Sequence, residues 1–171
     1  IICDISGSMA LNSLFGVTLL YGMVTKFGSI RAYVFIDGIT DISKHLRHIK
    51  KNEIETIFSR WSEFVKSDGH SDYQKSFEEL IESDTSEKGT LIVIGDARNN
   101  YRNISENLII NLSNKYKKIF WINPEQKKYW NTGDSQMKKF QEINFKTSEV
   151  RNYKQLKSFI KELDFKKVLT S

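Results

Sequence analysis

Oxygen-bearing side chains cluster in the segment Asp4-Ile5-Ser6-Gly7-Ser8, which directly follows a short apolar run at the start of the chain. At the end of a strand, Asp4, Ser6 and Ser8 can turn their oxygens toward one point above a sheet. A carboxylate and two hydroxyls are hard ligands, which suit Mg²⁺ or Mn²⁺ and suit zinc poorly. Alone the pattern is weak, because a serine before a helix is usually an N-cap.

Two later segments supply further oxygen ligands. Ser71 stands just before the helix predicted from Tyr73, and Asp96 follows the buried strand predicted over residues 91–95. If that strand neighbours the first one, Asp4 and Asp96 lie side by side at one edge of the sheet. Two carboxylates so close repel each other unless a cation lies between them. The sequence therefore predicts a metal site made of Asp4, Ser6, Ser8, Ser71 and Asp96.

Short apolar runs alternate along the chain with longer segments of helical period, which is typical of βαβ units with a parallel sheet. Strands are predicted over residues 1–4, 31–36, 91–95, 119–122 and 145–150. Helices are predicted over residues 10–27, 54–65, 73–81, 104–112 and 156–163. The first of these helices is apolar nearly all round, so we expect it to be buried within the fold. The dipeptide Asp37-Gly38 favours a hairpin turn within residues 31–43.

These elements predict an α/β fold, Rossmann-like and doubly wound. The expected sheet has six mostly parallel strands with one antiparallel edge strand, and helices cover both of its faces. Sheets of this class bind ligands beyond the carboxyl ends of their strands.

The bulk composition fits one domain with one core. With 171 residues, of which 39% are hydrophobic, we expect a single domain over residues 1–171. Because the chain opens on a strand and not on Met, we expect a fragment whose N-terminal part is missing.

The single cysteine, Cys3, fits a reducing compartment. No apolar run reaches the ~20 residues that a membrane span needs. The net charge of +5 is spread over helix faces without an Arg-rich stripe, which disfavours nucleic acid.

The three-part pattern Asp4-x-Ser6-x-Ser8, Ser71 and Asp96 resembles the metal-ion-dependent adhesion site (MIDAS) of von Willebrand factor A (VWA) domains. The resemblance runs from residue 1 to about residue 163. Ser71 stands where that family usually has Thr, so the hydroxyl is kept but the methyl group that restricts its rotamer is lost. Three blocks are more specific and resemble the CoxE-like branch of the family: GDARNNY at 95–101, WINPE at 121–125 and WNTGDS at 130–135.

The resemblance implies a VWA fold with Mg²⁺ or Mn²⁺ as cofactor and a protein-binding role. Members of the CoxE-like branch are bacterial, mostly intracellular, and often encoded with MoxR-type AAA+ ATPases. It thus implies a cytoplasmic domain, an AAA+ partner, and a chaperone-like role in the assembly or maturation of a client such as a metalloenzyme. Two carboxylates and three hydroxyls leave some positions of a hexacoordinate ion open. We therefore expect a partner protein to offer an Asp or Glu carboxylate to the metal.

Five residues on loops beside the site are candidates for contact with that partner: Arg98, Asn99, Asn100, Trp130 and Asp134. For residues 98–100, the alternative is that they cap a helix beginning near Asn103 and satisfy loop backbone groups. Asp134 fits a loop brace better than a metal ligand. Trp130 fits either a partner anchor or a lid over the core.

Enzyme chemistry lacks the residues it needs. A haloacid-dehalogenase phosphatase requires a second Asp two residues after the first, and Ser6 stands there. A Gly-x-Ser-x-Gly elbow, a dinucleotide fingerprint after a strand and a phosphate loop are all missing from the sequence. We therefore expect no catalysis. Two alternatives stay open: a structural or interaction domain with a degenerate metal site, and a metal-dependent hydrolase.

Overall fold

The computed structural model describes residues 1–26, 29–54, 56, 70–85, 88–143 and 145–162. Apart from Ile54 and Thr56, the helix predicted over residues 54–65 lies outside these ranges. The predicted end of the last helix at residue 163 also lies outside them.

A six-stranded sheet forms the centre of the molecule. Its strands are β1 (Ile2–Asp4), β2 (Tyr33–Phe35), β3 (Ile39–Asp41), β4 (Thr90–Ile94), β5 (Lys118–Asn123) and β6 (Lys146–Glu149). The order across the sheet is β3-β2-β1-β4-β5-β6, and every neighbouring pair is parallel except β2 and β3. The predicted mixed sheet with an antiparallel edge strand is confirmed. The chain leaves β1 toward β2 on one side and later returns to pair β4 on the other. This switch point is where open α/β sheets bind ligands.

Six α-helices surround the sheet in the described part of the chain. They are α1 (Ala10–Lys26), α2 (Ser43–His48), α3 (Tyr73–Ser83), α4 (Glu106–Lys115), α5 (Met137–Glu142) and α6 (Tyr153–Glu162). The sequence did not predict α2 and α5, because a six-residue helix is shorter than the window in which a helical period becomes visible.

Successive strand residues point to opposite faces of the sheet and enter two separate cores. Val93 and Trp121 belong to the core that α3, α4 and α5 cover. Cys3 and Ile94 belong to the core that α1, α2 and α6 cover. The predicted helices on both faces are therefore confirmed, and β1 and β4 are buried on both sides.

Helix α1 differs from its prediction as a helix that is apolar nearly all round and buried within the fold. Val17 and Leu20 are buried, whereas Thr18 and Thr25 are exposed. The hydroxyls of both threonines donate to helix carbonyls one turn back, at 2.7 Å for Thr18 and 2.8 Å for Thr25. One face of α1 is thus open to solvent. Within the described ranges, no helix combines the length and the apolar character that crossing a membrane requires.

Candidate metal centre

The two carboxylates predicted as ligands lie at the switch point of the sheet. Asp4 ends β1, and Cys3 beside it is in register with Ile94 of β4. This register sets Asp4 level with Gly95, and Asp96 is the second residue after the end of β4. Both aspartates are buried, with Asp4 at 0% and Asp96 at 5% exposure. Two acidic groups are therefore held at one edge of the sheet, largely away from water.

Asp4 accepts hydrogen bonds from Ser6 and Tyr73 but has no counter-charge among the described ion pairs. The backbone N–H of Ser6 donates to Oδ1 at 2.8 Å, and the hydroxyl of Tyr73 donates to Oδ2 at 2.7 Å. Burial, and then the charge of Asp96, raise the pKa of Asp4 from 3.8 to about 7, although these hydrogen bonds act in the opposite direction. The ionised form of Asp4 is therefore costly without a nearby cation.

Asp96 has a similar environment on the neighbouring strand end. Burial raises its pKa, while the backbone N–H of Arg98 and the hydroxyl of Ser8 favour the ionised form. The Arg98 N–H donates to Oδ1 at 2.9 Å. The hydroxyl oxygens of Ser8 and Ser6 lie 3.2 Å apart. Ser6 is buried and Ser8 is exposed, so the hydroxyls lead from the carboxylates to the surface.

Ser71 brings the third segment to the same edge. Its hydroxyl donates to the carbonyl oxygen of Arg98 at 2.6 Å, and the side-chain amide of Asn100 donates to its backbone carbonyl at 3.0 Å. These contacts bind the segment before α3 to the loop after β4. A hydroxyl whose proton is engaged in this way still has lone pairs for a metal ion.

The set of donors fits a hard divalent ion. It consists of two carboxylates and three hydroxyls, which is the oxygen chemistry that Mg²⁺ and Mn²⁺ prefer. Within the described ranges, no three His, Cys, Asp or Glu side chains come together as a protein-only metal cage would need. Part of the coordination would therefore come from hydroxyls, water or another molecule. The five side chains that would hold the ion are Asp4, Ser6, Ser8, Ser71 and Asp96.

Arg98 and Asp134 bind each other on the loops beside the site. The guanidinium of Arg98 lies 2.9 Å from Oδ1 of Asp134 and 2.6 Å from Oε1 of Glu125. Asp134 also accepts the backbone N–H of Asn100 at 2.9 Å. Asp134 therefore braces the loop, and Arg98 is engaged inside the molecule. Contact of either residue with a partner is an untested prediction.

Asn99 and Trp130 also have internal partners. Asn99 is fully buried, and its Oδ1 accepts the backbone N–H of Tyr73 at 2.8 Å. Trp130 is 5% exposed and donates from Nε1 to the carbonyl of Glu125 at 2.9 Å, which is the geometry of a lid. The alternative role of residues 98–100 is wrong in one part, because α4 begins later than Asn103 and Ser105 caps it. The other part is confirmed, because the side chains of Asn99 and Asn100 bind loop backbone groups.

Two tyrosines near the site were missed as functional candidates. Tyr73 was interpreted only as part of an apolar helix face, although a buried tyrosine hydroxyl needs a partner, and that partner is Asp4. Tyr101 is 83% exposed and has a φ of +59°. Ala97 and Asn100 in the same loop also have positive φ, at +62° and +51°. Asparagine is common at positive φ, whereas Ala97 and Tyr101 give no such signal in the sequence.

Comparison with known proteins gives one family match. The family described as "VWA domain containing CoxE-like protein" matches residues 1–159. No curated protein sequence matches the chain significantly.

Several solved structures share the fold. An aerotolerance-related membrane protein from Bacteroides fragilis NCTC 9343 has a TM-score of 0.57 and 13% identity, with 94% of each chain covered. Proximal thread matrix protein 1 from the mussel byssus has a TM-score of 0.54 and 14% identity. The match covers 94% of this chain but only 43% of the mussel protein. The mussel protein has also been solved with a zinc-occupied MIDAS motif, at a TM-score of 0.49, 16% identity, and 95% and 44% coverage. At these identities the likeness shows the fold alone.

Proposed function

We propose that this chain, which belongs to the family of VWA domain containing CoxE-like proteins, binds Mg²⁺ or Mn²⁺ at the switch point of its sheet and recognises a partner protein there without catalysing a reaction. One observation carries the proposal. Two buried carboxylates, Asp4 and Asp96, share one edge of the sheet, and no described cation pairs with Asp4. Hydroxyl oxygens continue from them to the surface at Ser8.

The charge balance of the site supports recognition of an acidic group. A bound divalent ion supplies a positive centre that accepts oxygen ligands. Asp4 and Asp96 provide two negative charges, and the serine hydroxyls provide none, so the formal charge of the loaded site is zero. A third carboxylate can then approach without the repulsion it would meet at a site of three or four acidic ligands. This favours an Asp or Glu side chain of a partner.

Exposed residues near the proposed ligands would contact the partner. Gly7 and Ser8 are exposed after β1, and Tyr101 is exposed on the loop after β4. Exposed aromatic side chains often serve as anchors in protein interfaces. We assign contact with the partner to Tyr101, and we assign Arg98 and Asp134 to holding the loop in place, because their charged groups bind each other.

The partner that we propose is a MoxR-type AAA+ ATPase, and the process is chaperone-like assembly or maturation of a client protein in the cytoplasm of a bacterium. This part of the proposal rests on membership of the CoxE-like family. The chain carries no phosphate loop of its own, so an ATP-driven step would depend on the partner.

Affinity capture tests the proposal. The domain is immobilised and exposed to lysate of the source organism in Mg²⁺ or in EDTA. Asp4→Asn is compared with Asp41→Asn, which changes an exposed aspartate of the edge hairpin. We expect an AAA+ ATPase to be retained only in Mg²⁺, by the unchanged domain and by Asp41→Asn. Tyr101→Ala is expected to bind the ion and to lose the ATPase. If the ATPase is retained equally in EDTA and by Asp4→Asn, metal-dependent recognition is contradicted and an interaction domain with a degenerate metal site is favoured.

A further inference from the structure

We propose that Tyr73 is a positioning residue that fixes the Asp4 carboxylate and joins the three segments of the metal centre before an ion arrives. The inference rests on the proposed metal site and assigns a role to a residue outside its ligand set. Tyr73 lies in the first turn of α3, two residues after Ser71, and is fully buried.

One hydroxyl group makes the connection. The Tyr73 hydroxyl donates to Oδ2 of Asp4 at 2.7 Å and accepts the backbone N–H of Ala97 at 3.2 Å. It thereby links the end of β1 to the loop after β4. At its other end, the Tyr73 backbone N–H donates to Oδ1 of Asn99 at 2.8 Å, so the same loop also holds the start of α3. All three segments of the site therefore meet at this residue.

Packing constrains the position of the Tyr73 hydroxyl. The ring packs edge-on against Phe35, with centroids 4.8 Å apart, and is stacked on Trp121 at 5.7 Å. A Cβ at Gly95 would lie 2.2 Å from the hydroxyl oxygen. The glycine thus leaves the space through which Tyr73 reaches Asp4.

This geometry has a consequence for metal binding. Oδ1 of Asp4 is held by the N–H of Ser6 and Oδ2 by Tyr73, while each oxygen keeps a lone pair for an ion or its water. Orientation of a ligand by a hydrogen-bonding neighbour is typically worth ~10- to 100-fold in metal affinity. Tyr73→Phe removes this orientation and keeps the ring, so the loss of metal affinity is expected without loss of the aromatic packing.

A second buried tyrosine supplies a matched control. Tyr116 donates its hydroxyl to Oδ2 of Asp84 at 2.8 Å, near the end of the sheet away from the metal centre. Tyr73→Phe and Tyr116→Phe each remove one buried hydroxyl that donates to a carboxylate. Only the first touches a proposed metal ligand. A general effect of destabilisation on metal binding would therefore appear in both variants.

The experiment titrates Mn²⁺ into the wild type and both variants by calorimetry and records the electron paramagnetic resonance spectrum of the bound ion. We expect the Mn²⁺ dissociation constant to rise ~10- to 100-fold in Tyr73→Phe, with a changed spectrum, and to stay within about twofold in Tyr116→Phe. If Tyr73→Phe does not fold, proton NMR of the metal-free wild type replaces it: a downfield, slowly exchanging Tyr73 hydroxyl proton supports its hydrogen bond to Asp4, and fast exchange with water overturns the inference.

Three outcomes would overturn the inference. Unchanged Mn²⁺ affinity in Tyr73→Phe, with normal binding by the wild type, overturns the role of Tyr73 and leaves the proposed function intact. Equal loss in both variants also overturns it, because the effect is then one of general stability. Absence of Mn²⁺ binding by the wild type overturns the proposed metal site and this inference with it.

Discussion

Replacement of Asp4 by Asn is expected to stabilise the metal-free protein above neutral pH and to abolish its stabilisation by Mg²⁺. The rise of the Asp4 pKa from 3.8 to about 7 corresponds to about 4 kcal/mol, since each pH unit is worth about 1.4 kcal/mol. This is the cost of ionising Asp4 in the folded state without metal. Asn carries no charge and avoids that cost. Asn has one acceptor oxygen where Asp has two, so either the Ser6 N–H or the Tyr73 hydroxyl loses its acceptor, which takes back about 1 kcal/mol.

The net expectation is a gain of about 1–3 kcal/mol in the free energy of unfolding. Urea denaturation in EDTA at about pH 8 measures it, because Asp4 is mostly ionised there. The matched control is Asp84→Asn. Asp84 is also buried and also accepts a tyrosine hydroxyl, but it pairs with Arg31 at 3.2 Å. We expect Asp84→Asn to lower the free energy of unfolding by ~1 kcal/mol or more, and we expect Mg²⁺ still to stabilise this variant. A metal-free Asp4→Asn protein less stable than the wild type would refute the electrostatic reasoning.

Three further outcomes are expected. The folded protein binds the Asp4 proton more tightly than the unfolded chain does, so the stability of the metal-free protein falls as pH rises from about 4 through about 7. For the same reason, Mn²⁺ affinity falls as pH drops below about 7. Thermal melts and calorimetry from about pH 5 to 9 check the two expectations, and a flat pH profile contradicts them. Gly95→Ala places a methyl group 3.1 Å from Cβ of Asp4, and we expect it to lower the free energy of unfolding by about 1–3 kcal/mol and to weaken Mn²⁺ binding. Gly22→Ala in α1 is the control, because its added Cβ meets open space; we expect it to raise the free energy of unfolding by about 0.5–1 kcal/mol. A lysine at position 98 cannot bind Asp134 and Glu125 together, so we expect Arg98→Lys to lower the free energy of unfolding by about 1–3 kcal/mol. We also expect faster proteolysis of residues 125–135. Equal proteolysis rates in the variant and the wild type would show that this ion-pair contact is dispensable.

The sheet and the meeting of the two aspartates were predictable from the sequence. The buried strands show as apolar runs, and the rule that parallel strands end at one edge brings Asp4 and Asp96 together. The hairpin was predictable because Asp37-Gly38 is a strong local turn signal. These features depend on residues that are close in sequence or on a general topological rule.

The supporting contacts of the site were not predictable in the same way. Tyr73 and Asp4 are 69 positions apart, and Arg98 and Asp134 are 36 apart. No local pattern links such pairs, and a helical period assigns Tyr73 to the core without specifying what its hydroxyl contacts. The partial exposure of α1 was missed for a related reason. Its apolar composition indicates a buried helix, but burial depends on how many neighbours pack around it.

We propose that a divalent ion binds between the oxygens of two strand-end carboxylates and their neighbouring serines. Anomalous diffraction from crystals soaked in Mn²⁺ locates such an ion. We expect one dominant anomalous peak within coordination distance of Asp4, Ser6, Ser8, Ser71 and Asp96, either directly or through water, and its loss in Asp4→Asn crystals. Crystals soaked to saturation with no peak at this edge of the sheet, or with the dominant peak elsewhere, would contradict the proposed metal site.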